Sequence, residues 1–183
     1  MFATISDDVK NTITEIYRRG NNPDRLFMFE HIPSNRLNNA IKSYASIIGS
    51  DETVIFLFDD TIFGSAKDGF MLTTKRLYYK NMAEAGDSVD ISDILNMTLK
   101  RSMLSPAIIV NTDLGDLVIS IIKASDQNVL FSIIDQTVRF LKNLADSVAS
   151  ASQAPAGQPL VCRGCGANYA RSIAICEYCG SSL

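Results

Sequence analysis

A chain of 183 residues is long enough for one domain of ordinary size plus a small appendage. Its 46% hydrophobic content excludes wholesale disorder. A net charge of −3 and a pI near 5.1 disfavour non-specific nucleic-acid binding, which needs clustered Lys and Arg on the phosphates.

The first helix is expected over Ser6–Arg19, with Ser6 as its cap and Asp7 and Asp8 complementing the positive end of the dipole. Val9, Ile13, Ile16 and Tyr17 recur on one face at helical spacing, and Gly20 with the following Asn-Asn-Pro stops the helix. The short apolar segment Leu26–Phe29 fits either a turn of helix or an extended piece. A second helix is expected from a Ser34 cap to a left-handed Gly49, with Leu37, Ala40, Ile41, Tyr44 and Ile48 on its buried face. Both helices are expected to pack as a satellite on a sheet.

Short strands are expected at Thr53–Phe58, Gly69–Thr73, Arg76–Lys80, Ser88–Ile91, Leu95–Lys100, Ala107–Thr112 and Asp116–Ile122. Thr74-Lys75 turns the first hairpin, and Asp113-Leu114-Gly115 turns the last, with Gly115 suited to a positive φ. Strands in succession without intervening helices imply an antiparallel system rather than βαβ units. A long helix, capped by Ser125, is expected from about Asp126 to Val148. Leu130, Ile133, Ile134, Thr137, Val138, Leu141, Leu144, Ala145 and Val148 give it an apolar face that the sheet should cover. Residues 149–160, small, polar and Pro/Gly-containing, read as a flexible linker.

The tail carries all four cysteines of the chain. Cys162 and Cys165 form one C-x-x-C, and Cys176 and Cys179 form another. A C-x-x-C turn aims two thiolates at one ion. The glycine after each, Gly166 and Gly180, can take positive φ and let backbone N–H groups point at the sulfurs. Two such turns complete a closed tetrahedral four-sulfur shell, the pattern of a structural zinc ribbon. Tyr169, Ile173, Ile175 and Tyr178 would form a small apolar layer around it. A segment this short cannot bury a self-sufficient core, so metal binding would supply its folding energy. Iron fits the same ligands. Two disulfides or a redox pair are the competing readings, but a redox C-x-x-C commonly opens a helix in a βαβ setting, which the pattern lacks.

Other candidates are weaker. Asp59-Asp60 could hold a divalent cation, though turn preferences favour a solvated loop start. His31 is the sole histidine and fits an ordinary local role. Lys75, Arg76 and Lys80, with Lys100-Arg101, could touch an anion or form a solvated sheet face. Ile62 and Phe63 could insert into a membrane or close the end of a barrel. The chain has no P-loop, G-x-S-x-G, G-x-G-x-x-G or H-E-x-x-H. No apolar run reaches the roughly 18 residues of a membrane span. The opening MFATISDDVK lacks the basic and apolar regions of a secretory leader.

The stretch DDTIFGSAKDGFMLTTKRLYYK, with ISDI at Ile91–Ile94, resembles the bacterial pleckstrin-homology-like (PH-like) domains of the YokE type and, more distantly, GRAM domains. The shared pattern is Gly-apolar-x-x-Thr-x-x-Arg-Leu-apolar, at Gly69 to Tyr78. The resemblance covers about Ile41 to Val148. It implies a binding module rather than an enzyme, built as a small orthogonal β-sandwich or partly open barrel. Asp59, Asp60 and Asp68 stand where inositol-lipid binders carry basic residues, which disfavours that ligand. The tail is similar to zinc ribbons appended to many bacterial proteins.

These readings combine into an α+β, mainly β chain. Residues 1–50 form a helical extension, 51–148 a seven-stranded PH-like barrel with a C-terminal capping helix, 149–160 the linker and 161–183 the zinc ribbon. The expected protein is a non-catalytic cytoplasmic adaptor holding one structural zinc ion. It would bind a protein or peptide by a strand edge or by the groove beside the last helix. Nucleic-acid binding through Arg163 and Arg171, and docking to anionic lipid, are the alternatives.

Overall fold

The computed structural model of the chain describes residues 5–20, 23–152, 160–161, 164–166, 168–169 and 179–180. Helix α1, Asp7–Arg19, begins where the Ser6 side chain accepts a hydrogen bond from the Val9 N–H. Its apolar stripe is the expected one: Ile13 is fully buried, and Val9, Ile16 and Tyr17 pack beside it. Gly20 closes the helix against the long C-terminal one, where an added Cβ would lie 2.3 Å from Ile133 Cδ1.

The ambiguous segment after α1 is extended. Leu26–Met28 forms strand β1, followed by a short 3-10 turn at Phe29–His31. Helix α2 covers only Ser34–Ser43. Pro33, not Ser34, is its capping residue, and it ends at Tyr44 rather than Gly49. The Ala45 N–H already reaches back five residues to the Ala40 carbonyl, so the helical ladder is broken there. Gly49 instead donates its N–H to Glu52 Oε1 at 3.0 Å.

All seven expected strands form. They are β2 (Val54–Asp59), β3 (Gly69–Thr73), β4 (Arg76–Lys80), β5 (Asp87–Asp90), β6 (Ile94–Lys100), β7 (Ala107–Thr112) and β8 (Gly115–Ser120). With β1 they make two antiparallel sheets, β1-β2-β3-β4-β5 and β6-β7-β8. Where a seven-stranded PH-like barrel, partly open, or a small β-sandwich was expected, strands β1–β8 form an α+β arrangement of two antiparallel sheets, five and three strands wide, that do not close into a barrel. No strand pairing joins β5 to β6 across the corner at Ile91–Asp93.

Both sheets turn apolar side chains into one core. Phe56, Phe58, Phe70, Leu72, Leu77 and Val89 meet Met97, Ile108, Val110 and Ile119 there. Helix α3, Gln127–Ser152, contributes Leu130, Ile133, Ile134, Val138 and Leu141 to the same core, together with Ile13 of α1. The two N-terminal helices therefore have different jobs. Helix α2 covers the opposite face of the larger sheet, where Ala40 and Tyr44 pack with Leu57, Met71 and Tyr78. Cover on both faces explains why all six residues of β2 are buried and why its sequence is a continuous apolar run.

The cap of α3 is Asp126, whose Oδ1 accepts from the N–H groups of Asn128 and Val129 at 3.0 Å each; Ser125 does not fill that place. The buried stripe ends at Leu141, since Leu144 and Val148 are exposed. The helix takes in residues 149–152 of the expected linker, and residues 153–159 lie outside the described residues. The chain divides into two compact units, Met1–Lys142 and Asn143–Leu183.

Buried Glu52 ties the first hairpin together. Its carboxylate accepts from Thr73 Oγ1 at 2.6 Å and from Tyr78 Oη at 2.8 Å, with the Arg76 guanidinium at 3.5 Å. Burial, aided by the Glu52 charge, pushes the Tyr78 phenol up to about 12. Glu52→Ala would strip the fully buried Tyr78 hydroxyl of its acceptor, take one of two acceptors from Thr73 Oγ1 and remove one carboxylate from Arg76. A loss of about 3–5 kcal/mol in unfolding free energy is expected, as for other buried charges stripped of one partner. Urea denaturation of that variant checks this.

Candidate functional site

In the tail, β9 (Leu160–Val161) pairs antiparallel with β10 (Asn168–Tyr169), Val161 facing Asn168 and Leu160 facing Tyr169. This hairpin brackets the first C-x-x-C, because Cys162–Cys165 follows β9 directly. Gly166 has φ +75° and Gly180 has φ +71°. Both glycines therefore take the left-handed conformation that their place after a C-x-x-C predicts. An L side chain would resist that geometry at either position. Cys165 and Cys179 are exposed. Cys162 and Cys176, with the layer residues Ile173, Ile175 and Tyr178, lie outside the described residues. The described residues thus contain no group of three or more His, Cys, Asp or Glu that could hold a metal. The donor chemistry would suit zinc: two C-x-x-C pairs would offer four soft ligands, and the glycine after each pair has the left-handed φ expected of it.

In the larger unit, antiparallel pairing leaves alternate residues of β5 and β6 with backbone groups turned away from their single partner strands. Of the other two edges, β8 is blunted by Asn81. Its side-chain amide donates to the Val118 carbonyl at 2.9 Å and accepts from the Ser120 N–H at 2.8 Å. At β6, the Lys142 ammonium caps the Ile94 carbonyl, and Leu95 is exposed beside it.

The β5 edge runs along a cavity of about 640 Å³. Its apolar lining comes from Ile47, Val89, Leu114 and Leu117, and its charged lining from Asp87, Asp90, Asp93, Asp113 and Arg76. Arg76 is engaged, with its Nε 2.5 Å from Asp90 Oδ1 and its other end toward Glu52. Sequence reading missed this cavity because its walls come from four separate segments. The one legible trace was the repeated Asp spacing through Asp87–Asp93.

A second cavity, of about 300 Å³, is lined by Asp60, Thr61, Ile62, Phe63, Lys67, Met82, Ile122 and Lys123 among others. Ile62 and Phe63 do not close the end of a barrel, as they are 61% and 95% exposed. Thr61 holds the base of their loop, accepting from the Ser65 N–H at 2.8 Å and offering its carbonyl to Arg25, so residues 62–63 are left on the outside.

Asp59 and Asp60 are not a solvated pair. Asp59 is fully buried, its Oδ1 accepting from the N–H and hydroxyl of Thr61, with Arg36 Nε 3.8 Å from Oδ2. Asp60 accepts from Ser120 Oγ at 2.9 Å and from the Lys123 N–H at 2.7 Å, joining the two sheets. Burial raises the Asp60 carboxyl above its ordinary range despite those bonds. His31 is exposed at the end of the 3-10 turn. Lys75, Arg76 and Lys80 pair with Asp51, Asp90 and Asp68 respectively, so they present no bare cationic face. Arg101 binds the Asn128 side chain.

No protein-family model and no curated protein matches the chain. No helix among the described residues is long and apolar enough to cross a membrane.

Proposed function

We propose that the chain is a non-catalytic adaptor, in which a PH-like domain binds an extended protein segment by strand addition and a zinc ribbon provides a second, separately folded contact. The observation that carries this reading is the β5 edge, which runs along the larger cavity. Strand addition uses such edges: backbone hydrogen bonds supply affinity, and pockets for alternate side chains supply selectivity. Three acidic residues away from that cavity are committed to structure, Glu52 and Asp59 by burial and Asp60 by bridging the sheets. The likeness of Gly69–Tyr78 to PH-like domains supports the same reading.

In the ribbon, Cys162, Cys165, Cys176 and Cys179 would hold one Zn²⁺, whose role when bound is structural cross-linking. Metal-binding thiolates favour a reducing compartment, hence a cytoplasmic site of action. A second reading, docking to an anionic membrane, is favoured by the exposed Ile62, Phe63, Met82 and Ile122 near Lys67 and Lys123.

Selection of random decapeptides on the full chain, followed by amide chemical-shift mapping, tests the reading. Enriched extended peptides that shift β5 or β6 amides are expected. Failure to enrich any peptide, together with sedimentation on phosphatidylserine vesicles, would overturn strand addition in favour of the membrane reading.

A further inference from the structure

Deepening the strand-addition reading, on which it rests, we infer that the β5 groove takes an extended segment whose outward side chains are Lys or Arg. The argument is charge complementarity along a groove of defined shape. Four carboxylates, Asp87, Asp90, Asp93 and Asp113, ring the cavity against the single guanidinium of Arg76. That guanidinium is already balanced by Asp90 and Glu52. Asp87, Asp93 and Asp113 form no ion pair among the described residues. Their field is therefore turned outward over the groove, and the walls concentrate it.

Shape and charge agree. The apolar lining of Val89 and Leu117 suits the inward side chains of an added strand, every second residue. The alternate residues then project toward the acidic rim. A basic residue there meets carboxylates, whereas an acidic residue meets like charge at the same positions, which is strongly selective. One local bond must yield: the Ser88 N–H rests on Asp87 Oδ1 at 2.7 Å in the unliganded edge. Its release frees both a donor for the incoming strand and a carboxylate for a basic side chain. Leu114, at the tip of the β7–β8 hairpin, and Ile47, after α2, are exposed apolar residues of the same lining and would cover the segment.

The test uses the full chain and two labelled probes of alternating pattern, Lys-Val-Lys-Val-Lys-Val-Lys and its Glu counterpart, read by fluorescence anisotropy. The basic probe is expected to bind at least tenfold more tightly, to weaken as salt rises, and to lose binding when its alternate amides are N-methylated. The double variant D93K/D113K, altered only at loop positions outside the core, is expected to reverse the preference while its thermal melt stays unchanged. Equal binding of the two probes, or preference for the acidic probe, overturns the charge assignment but leaves strand addition standing. N-methylated probe binding as well as the parent overturns strand addition itself. Binding unaffected by D93K/D113K removes the site from this groove.

Discussion

Cys176→Ser is expected to abolish metal retention by the full chain and to unfold the tail, while the unit Met1–Lys142 melts unchanged. A closed four-sulfur site tolerates no missing ligand, because the oxygen of Ser neither ionises near neutral pH nor matches the softness of thiolate. A segment the size of the tail buries too little apolar surface to fold alone. The tail's described regular structure is one hairpin of two residues on each side. Segments of this size fold with their metal and not before it, on roughly 10–16 kcal/mol of binding free energy. The larger unit has its own two-sheet core and needs no contribution from the ion. Zinc content, thiol titration and a thermal melt of the same preparation separate these effects. Zinc retained at the parent level in the variant would contradict the four-thiolate assignment.

Gly69→Ala is expected to cost on the order of 3 kcal/mol or more. Gly69 has φ +128°, a region nearly closed to L side chains, which alone costs about 1–3 kcal/mol. A Cβ there would also lie 2.1 Å from the Phe58 carbonyl oxygen and 3.0 Å from the Asp60 nitrogen. Those are backbone atoms of β2 and its exit, so relief requires the strand pair itself to part. Gly115 supplies the control: its φ is +126°, and an added Cβ there meets nothing within 4 Å. Gly115→Ala should therefore show the conformational cost alone, and the difference between the two variants in urea denaturation isolates the clash. Equal losses would contradict the close approach at Gly69.

The sequence pattern made the strands legible and left their closure open. Alternation and turn residues located β2 to β8 because each is bounded by Gly, Asp or Asn in a turn. Strand β1 was ambiguous since it is three residues long and is bounded by Arg25 and Phe29, at φ +64° and +45°. Neither is a residue type that announces a left-handed bend. Helix α2 ran short for a reason that propensity does not contain: Tyr44 packs its Cα and Cβ against Gly86, where a Cβ would approach within 2.6 Å. The aspartates misled because a D-D pair after a strand is a common solvated turn, whereas Asp59 is covered by α2 and Asp60 spans the sheets. In this chain the residues Thr73, Arg76 and Tyr78 of the Gly69–Tyr78 stretch all reach one buried carboxylate outside it, Glu52. The thiol spacing was the clearest signal in the chain, and the left-handed glycines after both pairs agree with it.

The most direct test is elemental analysis of freshly purified full-length protein, never exposed to chelator, with its thiols counted before and after denaturation. One zinc atom per chain, and four thiols that react only once the ion is removed, is the predicted result. Absence of bound metal, or sulfurs consumed in two disulfides, would remove the ribbon and with it the second contact of the proposed adaptor.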